Sequence, residues 1–281
     1  MDENQMLSQR RHSVLESVVQ EYVQSAHPVG SHTLVRSYLP LISAATVRNE
    51  LMWLENQGYV CSPHTSAGRI PTNVGYRTFV NSLLLHPGFF TQRVVLPVDC
   101  GGQRAPSLAT VRALANPQDK ILQINETLAF FAGYTDNLLV LWLPQISTTV
   151  FHRGLPLLLG QPEFTNVTAA LPIMQLLENQ GELLAILENV AKSGGLHIRI
   201  GAENSDAQLY PFSLLALRFE ASALTSTTGV STARAHVVPT LADKTGAPGS
   251  FFGVVALFGP TRMNYQKAIS ALSTIVEDAE G

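Results

Sequence analysis

Apolar residues near the start of the chain recur every three or four positions, which places them on one face of a helix. This pattern predicts a helix over residues 7–26, stopped by Pro28 and Gly30. It also predicts a short second helix with Ser31 as its N-cap, and a third helix that Ser43 caps and that ends near Gly58. The segment therefore begins as three short helices joined by tight turns.

A short hairpin and a fourth helix are predicted next. Residues 59–61 form an extended run in which Cys61 is expected to face the core. A polar stretch with glycine and proline follows over 62–71, and Thr72 then has the position of an N-cap for another helix. The His-Pro-Gly sequence at 86–88 is a plausible boundary, so the predicted domains are 1–86 and 87–281.

The second domain mixes strand and helix patterns, which favours an α+β fold with one sheet. The predicted helices cover 119–133, 167–192 with a break at 180–181, and 261–277 with Thr261 as N-cap. Short apolar runs predict the strands, at 138–143, 196–200, 212–219, 235–238 and 251–258.

Composition limits the function classes. The chain has 281 residues, 46% of them hydrophobic and 14% charged, so it can bury a sizeable core. Two cysteines form no disulfide framework, and the sequence shows neither a signal peptide nor an apolar run of the ~18 residues that a membrane span needs. A cytoplasmic protein without a membrane segment is expected.

Charge gives a weak indication of nucleic-acid binding. The chain carries a net charge of −3, but residues 5–85 are mildly basic and residues 86–281 are acidic. The basic side chains of residues 5–85 are all arginines, which suit forked contacts to phosphates and guanine edges. They are Arg10, Arg11, Arg36, Arg48, Arg69 and Arg77.

Three helices followed by a glycine-bearing hairpin fit a winged helix-turn-helix, although a small three-helix bundle of another function has the same pattern. In a winged helix-turn-helix the third helix enters the major groove with its N-terminal end exposed. The residues that would contact DNA from this helix are Ser43, Ala44, Ala45, Thr46, Arg48 and Asn49. Those of the hairpin wing are Thr65, Ser66, Gly68 and Arg69, with Arg69 either near phosphates or in the minor groove, or else bracing the wing against the helix that starts at Thr72.

Catalytic and metal-binding motifs are not found. The sequence has no Gly-x-Ser-x-Gly elbow, His-Glu-x-x-His pair or phosphate-binding glycine loop, and His152, His197 and His236 lack metal-ligand spacing. Glu163, Glu203 and Arg262 are better explained as structural residues. No enzyme activity, cofactor or metal is expected.

Longer motifs resemble the family of the heat-inducible transcription repressor HrcA. In the N-terminal part they are PVGS at 28–31, SAATVRNEL at 43–51, PHTSAGRIPT at 63–72 and GYR at 75–77. Further similar motifs follow in the family's order: GLPLL at 154–158, QPEF at 161–164, IRIGAEN at 198–204 and FGPTRMNY at 258–265. Together they cover about half of the chain.

The resemblance implies a function and an architecture. It implies a winged helix-turn-helix followed by a GAF-like sheet domain, and a homodimer that represses heat-shock chaperone operons by binding an inverted-repeat operator. It further implies inactivation by heat and reactivation by a GroEL-type chaperonin. One departure is that only residues 144–153 lie where the family carries strands of the GAF-like domain and an inserted dimerisation domain, so that insert is reduced or altered. An alternative is a winged-helix regulator whose GAF-like domain senses a small molecule.

Overall fold

The structure is a computed structural model that describes residues 7–64, 67–85, 108, 116–221 and 251–280. The predicted strand at 235–238 and the predicted wing residues Thr65 and Ser66 lie outside the described residues.

The N-terminal unit consists of four helices and a two-stranded hairpin. Its elements are α1 (Gln9–Ser25), α2 (Ser31–Ser37), α3 (Ala44–Asn56), β1 (Val60–Cys61), β2 (Ile70–Pro71) and α4 (Asn73–Leu85). The strands pair antiparallel, with Val60 opposite Pro71 and Cys61 opposite Ile70. Apolar side chains of α1, α2 and α3 fill the space between the helices, as their spacing predicts.

Capping residues fix the bounds of these helices. The Ser43 hydroxyl accepts a hydrogen bond from the Thr46 amide at 3.1 Å, which confirms Ser43 as the N-cap of α3. Gly58 has a φ of +78° just beyond α3, a left-handed conformation that favours glycine. The hydroxyl of Thr72 accepts from the Gly75 amide at 3.2 Å at the start of α4, as predicted.

Two local predictions for this unit are wrong. Ser31 is the first residue of α2 rather than its N-cap, because the position before the helix is taken by Gly30 in an extended conformation. Cys61 is exposed, whereas Val60 is buried. Successive side chains of a strand point to opposite faces, so the larger apolar residue takes the inner position.

The sheet domain has five antiparallel strands in the order β4-β3-β7-β6-β5. The strands are β3 (Leu138–Trp142), β4 (Phe151–Arg153), β5 (Leu196–Ile200), β6 (Phe212–Ala221) and β7 (Phe251–Pro260). The helices are α5 (Pro117–Thr135), α6 (Leu155–Leu159), α7 (Val167–Glu178), α8 (Gln180–Ser193) and α9 (Tyr265–Glu280), with short 3₁₀ turns at Pro162–Phe164, Gly201–Glu203 and Ala207–Leu209. None of the helices in the described part of the chain is both long and apolar enough to cross a membrane.

Helices cover both faces of the sheet, which explains why its central strands are continuous apolar runs. Leu139 and Leu141 of β3 point to the face that α5 and α9 cover, and Leu138 and Val140 point to the face that α6, α7 and α8 cover. Alternation between apolar and polar residues disappears when both faces of a strand are buried. The mixed α and β content that the sequence predicts is confirmed.

The turn before α9 differs from the prediction. The helix begins at Tyr265, and the Asn264 carboxamide accepts a hydrogen bond from the Lys267 amide at 3.0 Å, so Asn264 rather than Thr261 is its cap. Residues 261–264 are thereby free to form a turn in which Arg262 points toward the N-terminal unit and donates to the Val23 carbonyl.

The two parts of the chain share a buried core. The ring of Tyr76 on α4 lies 5.8 Å, centroid to centroid, from the ring of Tyr265 on α9, and both side chains are buried. Burial raises the pKa of both phenols, so both are neutral at physiological pH. The Tyr265 hydroxyl donates to the Thr261 carbonyl at 2.8 Å. The N-terminal unit is therefore packed onto the sheet domain through α4.

Candidate nucleic-acid interface

One face of α3 is exposed along its length. Val47, Leu51 and Leu54 are buried against α1 and α2, which leaves the opposite side of the helix in solvent. The exposed side chains recur three or four residues apart and form a single stripe: Ala45, Arg48, Asn49, Met52 and Asn56. Ser43 is exposed at the N-terminal end, with Ala44 and Thr46 partly exposed beside the stripe.

Two exposed apolar residues were not predicted, one within this stripe and one in the turn before α3. Met52 is 55% exposed one turn beyond Arg48, and Leu41 is 99% exposed in the turn before α3. The helical period that assigns Val47 and Leu51 to the core also assigns Met52 to the outer face, so the sequence contained this signal. Leu41 lies in a turn without periodicity, and nothing in the pattern distinguishes it from a core residue.

Polar contacts from α1 hold α3 in place. The Nε atom of Arg11 donates to the Glu50 carboxylate at 3.0 Å, and the guanidinium lies 3.8 Å from the centre of the Trp53 ring. A cation close to an indole face is attracted by the ring's quadrupole. Glu50 and Trp53 flank the buried face of α3, so these contacts limit rotation of the helix about its axis.

The loop that links β1 and β2 is joined to the loop that precedes α2. The amides of Val29 and Arg69 each donate to the other's carbonyl, at 2.9 and 2.8 Å. Gly68 lies against the same segment, because a Cβ atom there would be 2.5 Å from backbone atoms of Val29. Gly68 and Arg69 are therefore packed against Val29 of the PVGS motif.

Gly68→Ala should destabilise the chain by about 1–3 kcal/mol, because the added methyl group overlaps backbone atoms that cannot rotate away. Thermal unfolding of the full chain measures the loss. Gly133→Ala is the matched control, since nothing lies within 4 Å of the added atom and alanine favours the helical conformation of α5. A Gly68→Ala variant as stable as the control would contradict the close approach.

The guanidinium of Arg69 is engaged within the protein. It lies 2.7 Å from the Glu55 carboxylate of α3 and donates to the Ser62 hydroxyl at 2.6 Å and to the Ala67 carbonyl at 3.3 Å. Its side chain is only about a quarter exposed. Arg69 therefore joins its loop to α3, and not to the helix that begins after Thr72, where the sequence places the bracing contact.

Polar residues of the sheet-domain motifs form structural contacts. The Asn204 carboxamide donates to the carbonyls of Gly201, Leu209 and Phe212 at 2.8–3.1 Å and closes the turn after β5. Glu163 pairs with Arg262, and Glu203 pairs with Arg77. Among the described residues, no cluster of three or more His, Cys, Asp or Glu side chains could hold a metal ion.

Comparisons with known proteins identify relatives of the whole chain. Residues 107–269 match the family model described as the HrcA protein C terminal domain. The chain is 25% identical to the heat-inducible transcription repressor HrcA of Chloroflexus aggregans, over 367 aligned residues that cover 96% of this chain and 91% of the relative. Because this alignment is longer than the chain's 281 residues, the relative carries segments that have no counterpart here.

A shorter stretch of the chain is more similar to other members of the family. Over 78 residues the chain is 54% identical to the HrcA repressor of Streptomyces avermitilis, an alignment that covers 28% of this chain and 23% of the relative. The solved structure of a hypothetical protein matches with a TM-score of 0.64 at 18% identity, covering 97% of this chain and 96% of that one, and supports the fold. Since the family model matches more than half of its residues, the chain belongs to the HrcA family.

Proposed function

We infer that this chain is a negative regulator of heat-shock genes and that it acts by binding DNA. The observation that carries this function is the exposed stripe of α3, with Arg48 and Asn49 at its centre, on a member of the HrcA family. Arginine and asparagine side chains make paired hydrogen bonds to guanine and adenine in the major groove. Ala45 gives the helix room to approach the bases and can contact a thymine methyl group.

The N-terminal unit is proposed to be a winged helix-turn-helix with α3 as its recognition helix. The hairpin of β1 and β2 is the wing, and Val29 extends it through its bridge to Arg69. Ser43, Ala44 and Thr46 place the N-terminal end of α3 near the DNA backbone, where its amides favour a phosphate. The wing, with Thr65, Ser66 and Gly68, is assigned to the neighbouring DNA backbone or minor groove, and Arg69 to holding the wing in place.

The proposed DNA target is an inverted repeat upstream of chaperonin genes, bound by a homodimer. A two-fold symmetric protein places one recognition helix in each half-site, so a repeated and inverted sequence matches its symmetry. The sheet domain is proposed to be GAF-like and to provide the dimer contact. A GroEL-type chaperonin is the proposed partner for recovery after heat, as the family resemblance implies.

Repression from a reporter promoter tests the function. The chain should reduce transcription from a chaperonin promoter of its host, and scrambling one half-site of the inverted repeat should abolish that effect. The control is the same promoter in which a segment of equal length outside the inverted repeat is scrambled instead. Equal transcription with and without the protein would exclude the proposed repressor.

Arg69 is proposed to serve DNA binding by holding the wing on α3. Arg69→Ala should lower the thermal stability of the chain and weaken operator binding, while the dependence of affinity on salt stays unchanged. A lost phosphate contact would reduce the slope of log affinity against log salt by about 0.9. Glu55→Gln should act in the same direction, because it removes the other half of the ion pair. A reduced salt slope for Arg69→Ala would assign Arg69 to a phosphate.

The alternative is that the sheet domain senses a small molecule. A thermal shift produced by metabolites but not by chaperonin would favour it. In the described residues, packed helices cover both faces of the sheet, and no observation favours this alternative over the repressor.

A further inference from the structure

Arg262 links the sheet domain to the end of α1. Its Nε and Nη2 atoms contact the two carboxylate oxygens of Glu163 at 2.5 and 3.2 Å, and its Nη1 atom donates to the Val23 carbonyl at 2.6 Å. The side chain is only 12% exposed. Burial alone would lower the pKa of Arg262, but hydrogen bonding and the charge of Glu163 raise it, so the guanidinium stays charged.

The end of α1 favours a cation at this position. The last carbonyls of a helix have no partner within the helix and lie at the negative end of its dipole. The last turn of α1, which the structure describes in full, brings no basic residue of its own. Arg262 supplies this charge from a position 239 residues away in the sequence.

A second arginine joins the two parts of the chain through α4. Arg77 forms an ion pair with Glu203, with its Nε atom 2.8 Å from one carboxylate oxygen, and its Nη2 atom donates to the Ile198 carbonyl at 2.9 Å. Glu203 also accepts from the Ile200 amide at 2.9 Å. We call these four side chains, Arg262, Glu163, Arg77 and Glu203, the interdomain clamp.

The clamp is connected to α3 by contacts within the N-terminal unit. Arg262 contacts α1 at its C-terminal end, and Arg11 near the other end of α1 contacts Glu50 and the Trp53 ring of α3. A helix of this length is stiff, so a restraint on one end also restrains the helix that is packed against the other. The turn between β7 and α9 and the helix α3 therefore contact opposite ends of the same helix, α1.

We propose that Arg262 and Arg77 are positioning residues for DNA recognition, which hold α3 at a fixed orientation on the sheet domain. This role rests on the proposed function, because it concerns how two copies of α3 meet two half-sites. The sheet domain sets the distance between the copies, and the clamp transmits that distance to the recognition helices. Without the clamp each helix still fits its own half-site, but the separation of the two helices is no longer fixed.

Half-site spacing is the property that this role controls. The test compares inverted repeats with the natural spacing and with one or two base pairs added or removed. The wild-type chain should bind the natural spacing best, with a steep loss on either side. Arg262→Met should bind the natural spacing roughly tenfold more weakly, within the range typical of coupling between sites, and should show a flatter dependence on spacing.

Matched variants separate orientation from stability. Arg218→Met is the control, because Arg218 pairs with Glu220 and donates to the Ala191 carbonyl within the sheet domain, away from α1. It should keep the steep spacing dependence. Arg262→Lys keeps a cation for the Val23 carbonyl but loses the two-pronged contact to the Glu163 carboxylate. It should therefore keep part of the preference for the natural spacing that Arg262→Met loses. Should Arg262→Met fail to fold, Arg77→Met provides the same test.

A measurement without DNA keeps the clamp independent of the proposed function. Spin labels are attached to Cys61 and to the cysteine of a Glu188→Cys variant in α8, both exposed positions, in a chain that also carries Cys100→Ser. The distance between the labels reports the orientation of the two parts. Labelled chains are diluted with unlabelled protein. The distance distribution should be narrow in the wild type and in Arg218→Met, and broad in Arg262→Met.

The outcomes decide whether Arg262 positions α3 or only stabilises the fold. A flatter spacing dependence with a broader distance distribution supports the clamp. An equal loss of affinity at every spacing with an unchanged distribution would overturn it and leave Arg262 a stabilising residue only. A wild-type chain that binds no inverted repeat would refute the proposed function, and the distance distribution alone would then decide whether the clamp exists.

Discussion

The isolated segment 1–86 is expected to bind the operator about 10²–10⁴-fold more weakly than the full chain, because linking two half-site contacts raises the effective concentration of the second. The unit has few charges with which to attract phosphates, so one copy should bind in the non-specific range of about 10⁻⁴–10⁻⁶ M. Specific repressors reach about 10⁻⁸–10⁻¹¹ M. The structure adds a second reason, since the segment also loses the Arg262 contact to α1 and the packing of Tyr76 on Tyr265.

Folding and dimerisation must be measured together with affinity. Circular dichroism of the segment checks that its helices remain, and fusion to a parallel coiled coil should restore part of the lost affinity. The full chain should sediment as a dimer. A folded segment that binds as tightly as the full chain would refute this prediction, as would a full chain that stays monomeric at micromolar concentration on operator DNA.

Arg48→Ala should cause a large loss of operator affinity. A paired contact to guanine contributes about 1–3 kcal/mol to the binding free energy. Because a dimer loses this contact at both half-sites, the free energy of operator binding should weaken by about 2–6 kcal/mol. Asn49→Ala should act in the same way at an adjacent base pair. Electrophoretic titration at one fixed salt concentration measures both variants.

Arg199→Ala is the charge-matched control for this test. Arg199 lies on β5 and donates to the Ser205 hydroxyl at 3.3 Å, so its loss removes one positive charge without changing α3. Operator affinity should stay close to that of the wild type. If Arg48→Ala and Arg199→Ala bind the operator equally well, Arg48 contacts no base.

Local signals made the helices and most strands predictable. Ser43 was recognisable as a cap because the apolar period begins immediately after it, and residues 196–200 formed a strand with the predicted bounds. Thr261 was mistaken for a cap because Asn264, three residues later, has the same capacity to accept from an amide. Where two residues could each cap a helix, the packing of that helix decides which of them does so. The sequence pattern carries no information about this packing.

Long-range pairs could not be predicted in the same way. No local sequence pattern around Arg69 indicates that it pairs with Glu55. Arg262 lies 239 residues from the Val23 carbonyl that it contacts. Such pairs depend on how completed elements pack. The exposure of one face of α3 was predictable because the helical period assigns it, whereas the residues that contact this helix and α1 from a distance come from both ends of the chain.

Footprinting on the host's chaperonin promoter tests the central claim most directly. The full chain should protect two symmetric half-sites of an inverted repeat whose centres lie about one helical turn of 10–10.5 base pairs, or a multiple of it, apart. The protection should disappear with Arg48→Ala at the same protein concentration and persist with Arg199→Ala. A promoter that the wild-type chain leaves unprotected, or protection that Arg48→Ala leaves unchanged, would contradict the assignment of α3 as the recognition helix of a repressor.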